Sequence, residues 1–456
     1  MEQAQLKKGI GLLMATALVT GNMMGSGIFM LPATLAQKAG PGSIILAWIL
    51  TGIGSIFLAL SFAKLGTQYP RTGGPYEFSR QAFGNFTGFL NAWLYWNGSW
   101  IGNVAVIIAI ASYTGDLFPV LTSNHLIGFL FTSIILWGFT GINILGVRLA
   151  GKIQTAITVF EILLFIGFIV VAAVHFNGAN MTPLFPHNKG LGTMSGAASS
   201  TLWAFIGLES ATVAAGEIKN PERNIRRSTI LGISIATVMY MAINIFAMGA
   251  MNPTRLAQSS APISDILSQF MGSGIGNVIT IAAVISILGT TVGWLLSTAR
   301  IAFAAGEDGM FPKAFAKVHP KYQTPYVALI IGSVLANILL LMNYTKSFNS
   351  AFTFVMLLAT LSYLPVYAFT AASEIMLMKS TKTLNLFKFI KVSFIPLLGF
   401  IYAGWAIYGS GAQTVMYGFL LMLAGVPFYL YMNHKRLGES ASVGTNHEGT
   451  APSTVH

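Results

Sequence analysis

Long apolar segments follow one another along the chain, separated by short polar connections. A helix needs about 20 apolar residues to cross the hydrocarbon core of a bilayer, and each segment is about that long. The alternating ten-residue pattern of an outer-membrane barrel is absent from the sequence. We therefore predict an all-α polytopic membrane protein. Its roughly 12 transmembrane helices lie near residues 11–37, 43–65, 86–112, 126–146, 154–176, 193–216, 228–251, 274–303, 325–343, 350–374, 391–410 and 413–433.

Two of the predicted spans are interrupted by residues that disfavour a membrane helix. Span one contains GNMMGSGIFMLP at residues 21–32, and span six has Gly207 and Glu209 at mid-depth. The interruptions lie five spans apart, at corresponding positions of two five-helix halves. Because five is odd, the second half must be inverted in the membrane, as in many transporters that bind substrate between broken helices. We predict a 5+5 inverted repeat with discontinuous helices 1 and 6, plus two extra helices.

These features predict a single transmembrane transporter domain over residues 1–436. The two inverted repeats cover approximately residues 9–176 and 193–374, and the extra helices cover residues 391–433. Residues 437–456 are polar and low in apolar content, which is typical of a disordered tail.

The charged residues indicate the orientation of the chain in the membrane. Only 8% of the residues are charged, and the formal net charge is +12. Lys38, Lys189, Arg255 and Lys346 lie on one side of the predicted spans, and the other 21 of the 25 lysines and arginines lie on the opposite side. The positive-inside rule then predicts that both termini of this multi-pass membrane protein are cytoplasmic. The basic charge is explained by topology and by anionic lipid, so no nucleic-acid partner is expected.

Metal and cofactor chemistry has little support in the sequence. The chain contains no cysteine, which excludes disulfides, thiolate metal sites and a cysteine nucleophile. All seven histidines lie in loops, at span ends or in the tail. We therefore expect no metal site and no cofactor.

The break in span one offers groups that suit the head of an amino acid. A helix starting after Gly25-Ser26-Gly27 presents free N–H groups and a positive dipole end, which favours a carboxylate. In span six, a half-helix ending near Trp203–Ile206 presents free carbonyls, which suit an ammonium group. The alternative is that the glycines form a packing face between helices. The matching break in span six favours the binding site.

Two carboxyl groups lie well inside the predicted spans, away from the span ends. An ionisable residue at mid-membrane is functional by default, and Glu209 lies at the break. We predict that it is a proton-sensitive gate, with Asn22 or Asn103 as hydrogen-bond donor; a purely structural carboxylate is the alternative. Glu161 in span five is the weaker candidate, for which a packing or lipid-interface role is favoured.

Five stretches together resemble a known family: GNMMGSGIFMLPA (21–33), YPRTGGPYEFSRQAFG (69–84), LYWNGSWIGNVA (94–105), TLWAFIGLESATVAAGEIKNPERN (201–224) and GWLLSTARIAFAAGEDGMFPK (293–313). They resemble the amino acid–polyamine–organocation (APC) superfamily, and within it the basic amino acid/polyamine antiporters. The likeness runs from about residue 9 to 435. It implies twelve helices with a 5+5 inverted repeat. It also implies sodium-independent exchange of an amino acid, arginine or another basic one, for a related amine or amino acid.

The resemblance also implies roles for individual residues. The substrate-head contacts would be Asn22, Met23, Gly25, Ser26, Gly27 and Ile206. Trp294 would stack on a cationic substrate and Trp203 would cap it from outside. Glu209 would sense protons and gate access, and Tyr76 would belong to the cytoplasmic closure. The side-chain pocket would contain Gly98, Ser99, Asn103 and Leu358.

The side-chain pocket departs from the pattern of the family members that exchange arginine. Those members carry alanine–cysteine where this chain has Gly98-Ser99, and a serine where it has Leu358, whereas Asn103 matches. A related amino acid or amine is therefore as well supported as arginine. Proton-coupled relatives carry a lysine near Thr158, and its absence favours exchange. A proton-coupled amino acid or polyamine symporter is the alternative.

Two other classes of function fit the sequence less well. A membrane-embedded enzyme needs a converging nucleophile and base or a metal set, and no such set is visible in the spans. A channel needs a pore ring repeated across subunits, and no sensory domain is attached. We expect a transporter rather than an enzyme, with small amino acids or amines and the lipid bilayer as partners, and we leave a homodimer open.

Overall fold

The computed structural model describes residues 6–344, 348–379 and 386–447, and some side chains within these ranges, including Ser26 and residues 348–360, are not described. The helices are α1 (Leu12–Met24), α2 (Ser26–Lys38), α3 (Pro41–Gln68), α4 (Pro75–Phe83), α5 (Asn85–Leu117), α6 (Val120–Ser123), α7 (His125–Ile144), α8 (Val147–Val174), α9 (Met194–Trp203), α10 (Ser210–Val213), α11 (Pro221–Ala250), α12 (Pro253–Gln258), α13 (Pro262–Met271), α14 (Ser273–Glu307), α15 (Tyr326–Asn343), α16 (Phe348–Lys379), α17 (Leu386–Gly409) and α18 (Ala412–His447). Short 3₁₀ turns lie at Gly178–Met181, Leu191–Thr193, Ala215–Glu217 and Lys313–Ala316. The fold is all-α, as predicted.

The predicted spans correspond to helices in chain order. Within the described residues, ten helical stretches are long and apolar enough to cross a membrane. Span one is α1 and α2 together. Span six is divided between α9 and α10, which are too short to span alone, and span nine is α15, whose apolar stretch Tyr326–Met342 is also short. The protein is therefore a multi-pass membrane protein with the two discontinuous helices that the sequence predicts.

Proline and asparagine explain several helix starts. Pro41 and Pro221 occupy the first turns of α3 and α11, where the missing N–H costs no hydrogen bond. Asn124 precedes α7, and its side-chain oxygen accepts hydrogen bonds from the N–H groups of Leu126 and Ile127. The sequence analysis did not predict α4, which lies in a polar connection.

The predicted tail overlaps the last helix. The α18 helix continues past residue 436 to His447, and residues 448–456 lie outside the described residues. Residues 437–447 are therefore helical rather than disordered, whereas disorder over residues 448–456 stays a prediction.

Counterpart helices of the two predicted halves pack against each other: α3 against α11, α5 against α14, and α7 against α15. The α5 helix lies at the centre, since 94% of its most apolar stretch is buried, against 11% for α18 at the periphery. This pairing agrees with a pseudo-symmetric arrangement, and the repeat bounds at residues 9–176 and 193–374 stay predictions.

A buried ion pair joins α14 to the segment that follows α10. The Arg300 guanidinium donates to both carboxylate oxygens of Glu217, at 2.8 and 2.9 Å, and both side chains are fully buried. The backbone carbonyl of Glu217 accepts hydrogen bonds from the N–H groups of Gly9 and Ile10, and an isolated parallel bridge joins Ile10 to Ile218. These contacts therefore hold the residues just before α1 against the segment that follows α10.

Removing one partner of this pair should destabilise the protein strongly. Arg300→Met leaves the Glu217 carboxylate buried without a cation. We expect this change to lower the free energy of unfolding by about 3–5 kcal/mol. The double variant Arg300→Met/Glu217→Gln should recover a large part of the loss, because no charge stays buried. Unfolding in detergent measures the free energy.

The matched control is Arg71→Met, because Glu77 keeps Arg80 as a partner at 3.0 Å and Arg71 is half exposed. We expect a cost of about 0–1 kcal/mol for this control. Equal stability of the single and double Arg300 variants would contradict the prediction.

Candidate substrate site

A single glycine separates α1 from α2. The α1 helix ends at Met24, α2 begins at Ser26, and Gly25 between them has φ −42° and ψ −143°, outside the helical region. A Cβ on Gly25 would lie 2.5 Å from Cγ2 of Thr290, so only glycine permits this approach. The second half-helix therefore starts earlier than the sequence predicts, before Gly27 rather than after it.

The second break is longer and packs onto the first. The α9 helix ends at Trp203, as predicted, and residues 204–209 form turns before α10 begins at Ser210. Gly207 has φ +116°, a conformation that favours glycine, and a Cβ there would lie 2.9 Å from the backbone carbon of Asn22. The two breaks therefore meet at one point in the bundle.

A tyrosine on α11 satisfies carbonyl groups that the breaks set free. The Tyr240 hydroxyl lies within hydrogen-bond distance of the Met23 carbonyl oxygen and 2.8 Å from the Ala204 carbonyl oxygen. One hydroxyl hydrogen serves both acceptors, so Tyr240 donates to one at a time. Its ring stacks on Trp48 at 5.1 Å between ring centroids. No pattern in the sequence of α11 distinguishes Tyr240 from other aromatic residues in the spans, so this contact was not predicted.

Asn22 links the end of α1 to α10 and α14. Its Nδ2 donates to Ser210 Oγ at 2.8 Å and to Ser297 Oγ at 3.3 Å. Its backbone carbonyl accepts a hydrogen bond from Trp294 Nε1 at 3.2 Å. The tryptophan predicted to stack on a substrate is therefore anchored to the break itself.

A small cavity lies between the two breaks. Its volume is about 20 Å³, and it is lined by Asn22, Met23, Gly25, Gly27, Gly102, Val106, Trp203, Ile206, Thr290, Trp294 and Tyr363. Seven of these residues are among the predicted substrate contacts; the sequence analysis missed Gly102, Val106, Thr290 and Tyr363. One water needs about 10–15 Å³, so the site is closed in this conformation.

Trp203 lies directly over the first turn of α2. A Cβ on Gly27 would lie 3.0 Å from Cδ1 of the Trp203 ring. The N–H of Ile28 turns back to the Gly25 carbonyl at 3.3 Å. The earlier N–H groups of the turn have no carbonyl partner within their own helix. They are therefore the groups that suit an anionic ligand.

Two of the predicted side-chain pocket residues make packing contacts instead. A Cβ on Gly98 would lie 2.9 Å from the Tyr363 ring, so this glycine brings α5 close to α16. The Ser99 hydroxyl lies 2.7 Å from the Tyr363 hydroxyl and donates to the Tyr95 carbonyl at 2.8 Å. Neither residue lines the central cavity.

The other two predicted pocket residues have different outcomes. Asn103 lines a separate cavity of about 10 Å³ together with Trp100 and Thr298, and neither its amide oxygen nor its nitrogen has a hydrogen-bond partner within the described residues. The side chain of Leu358 lies outside the described residues, as does that of Ser26.

Glu209 is held by neutral donors from two other helices. Its Oε1 accepts a hydrogen bond from the Tyr95 hydroxyl at 2.8 Å, and its Oε2 accepts from the Tyr367 hydroxyl at 2.6 Å and from the Gly207 N–H at 3.2 Å. The carboxylate is fully buried. The prediction of Asn22 or Asn103 as donor was wrong, because tyrosines of α5 and α16 occupy both oxygens.

The tyrosines connect Glu209 to the wall of the cavity. The rings of Tyr95 and Tyr363 lie 5.0 Å apart, and those of Tyr363 and Trp294 lie 5.5 Å apart, both in edge-to-face contact. Three contacts therefore link Glu209 to Trp294.

Comparison with known proteins agrees with this architecture. The chain matches the amino acid permease family over residues 10–430. It belongs to this family. A putative arginine/ornithine antiporter of Bacillus subtilis (strain 168) is 33% identical over 95% of this chain and 98% of its own length. An arginine/agmatine antiporter of Chlamydia pneumoniae is 32% identical over 94% and 91%. The putrescine transporter PotE of Haemophilus influenzae is 31% identical over 93% and 97%. The resemblance to the APC superfamily is thus confirmed.

In this permease, Tyr76 belongs to an ionic network away from the cavity. Its hydroxyl donates to Asp308 Oδ2 at 2.9 Å. Burial raises the pKa of Tyr76, and the neighbouring Asp308 charge raises it further, so the phenol stays protonated and donates. Arg80 lies 3.5 Å from Asp308 and 3.0 Å from Glu77. The network joins α4 to the end of α14.

Glu161 lies on α8 and is buried, with its Oε1 lacking a hydrogen-bond partner within the described part of the permease. Thr158, one turn earlier, lies 3.4 Å from the Ala17 carbonyl of α1. Phe165, one turn later, packs on Phe29 of α2. Glu161 therefore faces the region of the first break but does not line the cavity.

Gly27 should tolerate no bulky side chain. In Gly27→Leu, the side chain meets the Trp203 ring and fills the space next to the first N–H groups of α2, so substrate binding should be lost. Ser26→Ala keeps the backbone N–H and should bind substrate within about threefold of the wild type, a difference of less than 1 kcal/mol. Scintillation proximity binding on purified permease measures both.

The control is Gly138→Leu, because a Cβ at this helical glycine meets open space. We expect normal binding and folding from this control. Normal substrate binding by Gly27→Leu would rule out the assignment.

Glu209→Gln should slow turnover and flatten its pH dependence while keeping substrate binding. The amide cannot titrate, and it can accept a hydrogen bond through only one atom, so one tyrosine hydroxyl loses its acceptor. Exchange rates measured in liposomes from about pH 5 to about pH 8, on both sides of neutrality, would test this.

Glu161→Gln is the comparison variant, because it removes the other buried carboxyl near the breaks without touching the tyrosines; a flattened pH profile in this variant alone would point to Glu161 instead. If Glu209→Gln exchanged at the native rate with the native pH profile, the gate would lie elsewhere.

Proposed function

We propose that the protein is a secondary active antiporter that exchanges an amino acid for a related amine or amino acid without sodium. The observation that carries the proposal is the meeting of two broken helices at one closed cavity. Its relatives include proteins named as arginine/ornithine and arginine/agmatine antiporters and as a putrescine transporter. Discontinuous helices at mid-membrane are the usual origin of transporter binding sites.

The amino acid head would bind between the two helix ends. The first N–H groups of α2, at Ser26 and Gly27, favour the carboxylate, helped by the positive dipole end. The carbonyl groups of the turn at residues 204–209 favour the ammonium group. Both sets are backbone groups, so the head site accepts any α-amino acid and leaves discrimination to the side-chain pocket.

A cationic substrate side chain would stack on Trp294. The ring lines the cavity and is fixed by its hydrogen bond to Asn22. No carboxylate lines the central cavity within the described residues, so aromatic faces are the features that favour a cation, at about 0.5–2 kcal/mol each. Arginine, another basic amino acid and the related amine all meet this requirement, which agrees with the range of substrates in the names of the relatives.

Access to the site would alternate between two closures. Glu209 ties the second broken helix to α5 and α16 through tyrosines, and protonation of the carboxylate weakens these ties. Tyr76 and its ionic partners close the face that carries most basic residues. That face is the cytoplasmic side of a bacterial inner membrane by the positive-inside rule.

A proton-coupled symporter is the second candidate. The observation that favours it is Glu161, a buried carboxyl with an unpaired oxygen beside the first break. A symporter would take up substrate into empty liposomes, whereas an antiporter needs substrate on both sides.

Uptake should therefore depend on internal substrate. We expect radiolabelled arginine, or another basic amino acid, to enter liposomes loaded with the same amino acid or its amine at least tenfold faster than empty liposomes. Sodium should have no effect. Equal uptake into empty and loaded liposomes, with a pH gradient as the driving force, would favour the symporter instead.

A further inference from the structure

A groove lies near the ends of α3 and α16 that carry basic residues. It has a volume of about 450 Å³, and its lining includes Lys64, Arg226 and Glu374 as well as the apolar Val392 and Ile395. These residues come from α3, α11, α16 and α17. Val392 and Ile395 are 42% and 40% exposed, so the α17 wall is an apolar surface next to charged groups. That combination matches the headgroup and upper acyl chain of a phospholipid.

Glu374 in this groove is incompletely satisfied. Its Oε1 pairs with Lys64 Nζ at 2.9 Å, but its Oε2 is buried and has no hydrogen-bond partner among the described residues. The whole residue is only 4% exposed. Buried carboxylate oxygens are rarely left without a donor, because the loss of hydration is costly. The groove therefore lacks one donor beside Glu374.

Arg226, in the same groove, is a hydrogen-bond donor that lacks an anionic partner among the described residues. This guanidinium is exposed, lies in the second turn of α11, and makes no ion pair among the described residues. An arginine at this level of the membrane favours a phosphate, with which it forms paired hydrogen bonds. The groove thus offers an acceptor for a cation and a donor for a phosphate.

We propose that this groove binds one phospholipid whose headgroup carries a primary ammonium group, namely phosphatidylethanolamine. Its ammonium group would donate to Glu374 Oε2, its phosphate would accept from Arg226, and an acyl chain would lie along Val392 and Ile395. A choline headgroup carries no N–H and cannot satisfy the carboxylate oxygen. A glycerol headgroup offers hydroxyl donors but no positive charge, so it lacks the Coulomb attraction that an ammonium group has for the carboxylate.

Native mass spectrometry of the purified full chain would test the site with three lipids that share the same acyl chains. We expect phosphatidylethanolamine to bind at least tenfold more tightly than phosphatidylcholine, and more tightly than phosphatidylglycerol. Glu374→Gln should remove the preference for ethanolamine over choline. Arg226→Gln should weaken both lipids alike, because both present the phosphate.

Arg223→Gln is the control, since this exposed arginine lies on the same helix outside the groove, and it should bind as the wild type does. Equal binding of the ethanolamine and choline lipids to the wild type would overturn the proposal, as would preferred binding of the glycerol lipid. The wild-type comparison and the exposed Arg226 variant do not depend on the folding of Glu374→Gln. Amino acid exchange is a separate readout: its absence would count against the antiporter and leave the lipid preference unaffected.

Discussion

Backbone groups freed inside a membrane must find partners, and this constraint organises the centre of the protein. A broken helix in hydrocarbon leaves N–H and C=O groups without hydrogen-bond partners, and each unsatisfied group costs several kcal/mol. Here Tyr240 reaches carbonyls from both breaks, and Trp294 donates to the Asn22 carbonyl. Gly207 lets the second break rest directly on the first. Tyr240 donates to one of its two carbonyl acceptors at a time, and the first N–H groups of α2 are the donors that the proposed substrate carboxylate would use.

The same constraint explains why the site is shared between helices that are far apart in sequence. Tyr363 on α16 borders the cavity, contacts Trp294, and lies 2.7 Å from Ser99 on α5. Its edge also contacts Tyr95, which holds Glu209. Direct contacts therefore link the second broken helix to the ring that borders the central cavity. Packed interiors shift between discrete arrangements rather than deform smoothly, so the proposed gate at Glu209 would act on that ring as a two-state element.

The sequence predicts well where each helix and each break lies along the chain. It predicts poorly which neighbouring helix a given side chain faces. Apolar length gave the spans, and glycines with a mid-depth carboxylate gave both breaks. By contrast, Ser99 turns toward Tyr363 rather than the cavity, and no local pattern indicates that Tyr95 and Tyr367 are the partners of Glu209. Tyr240 is an ordinary aromatic in an ordinary span until α11 is packed against both breaks. Those facts depend on tertiary packing, which a single sequence does not encode in any local pattern.

The two buried glutamates near the second break illustrate how partners decide what a carboxylate can do. Glu217 is paired with Arg300, and both side chains are fully buried, so the two charges compensate each other inside the fold. Glu209 is held by two phenols and a backbone N–H, all neutral, so gaining a proton leaves no charge uncompensated. The phenol hydroxyls can turn from donors into acceptors when the carboxyl becomes a donor. Glu209 therefore has no ion pair to lose, which is what the proposed gate requires, whereas Glu217 is one half of the pair that joins α14 to the segment after α10.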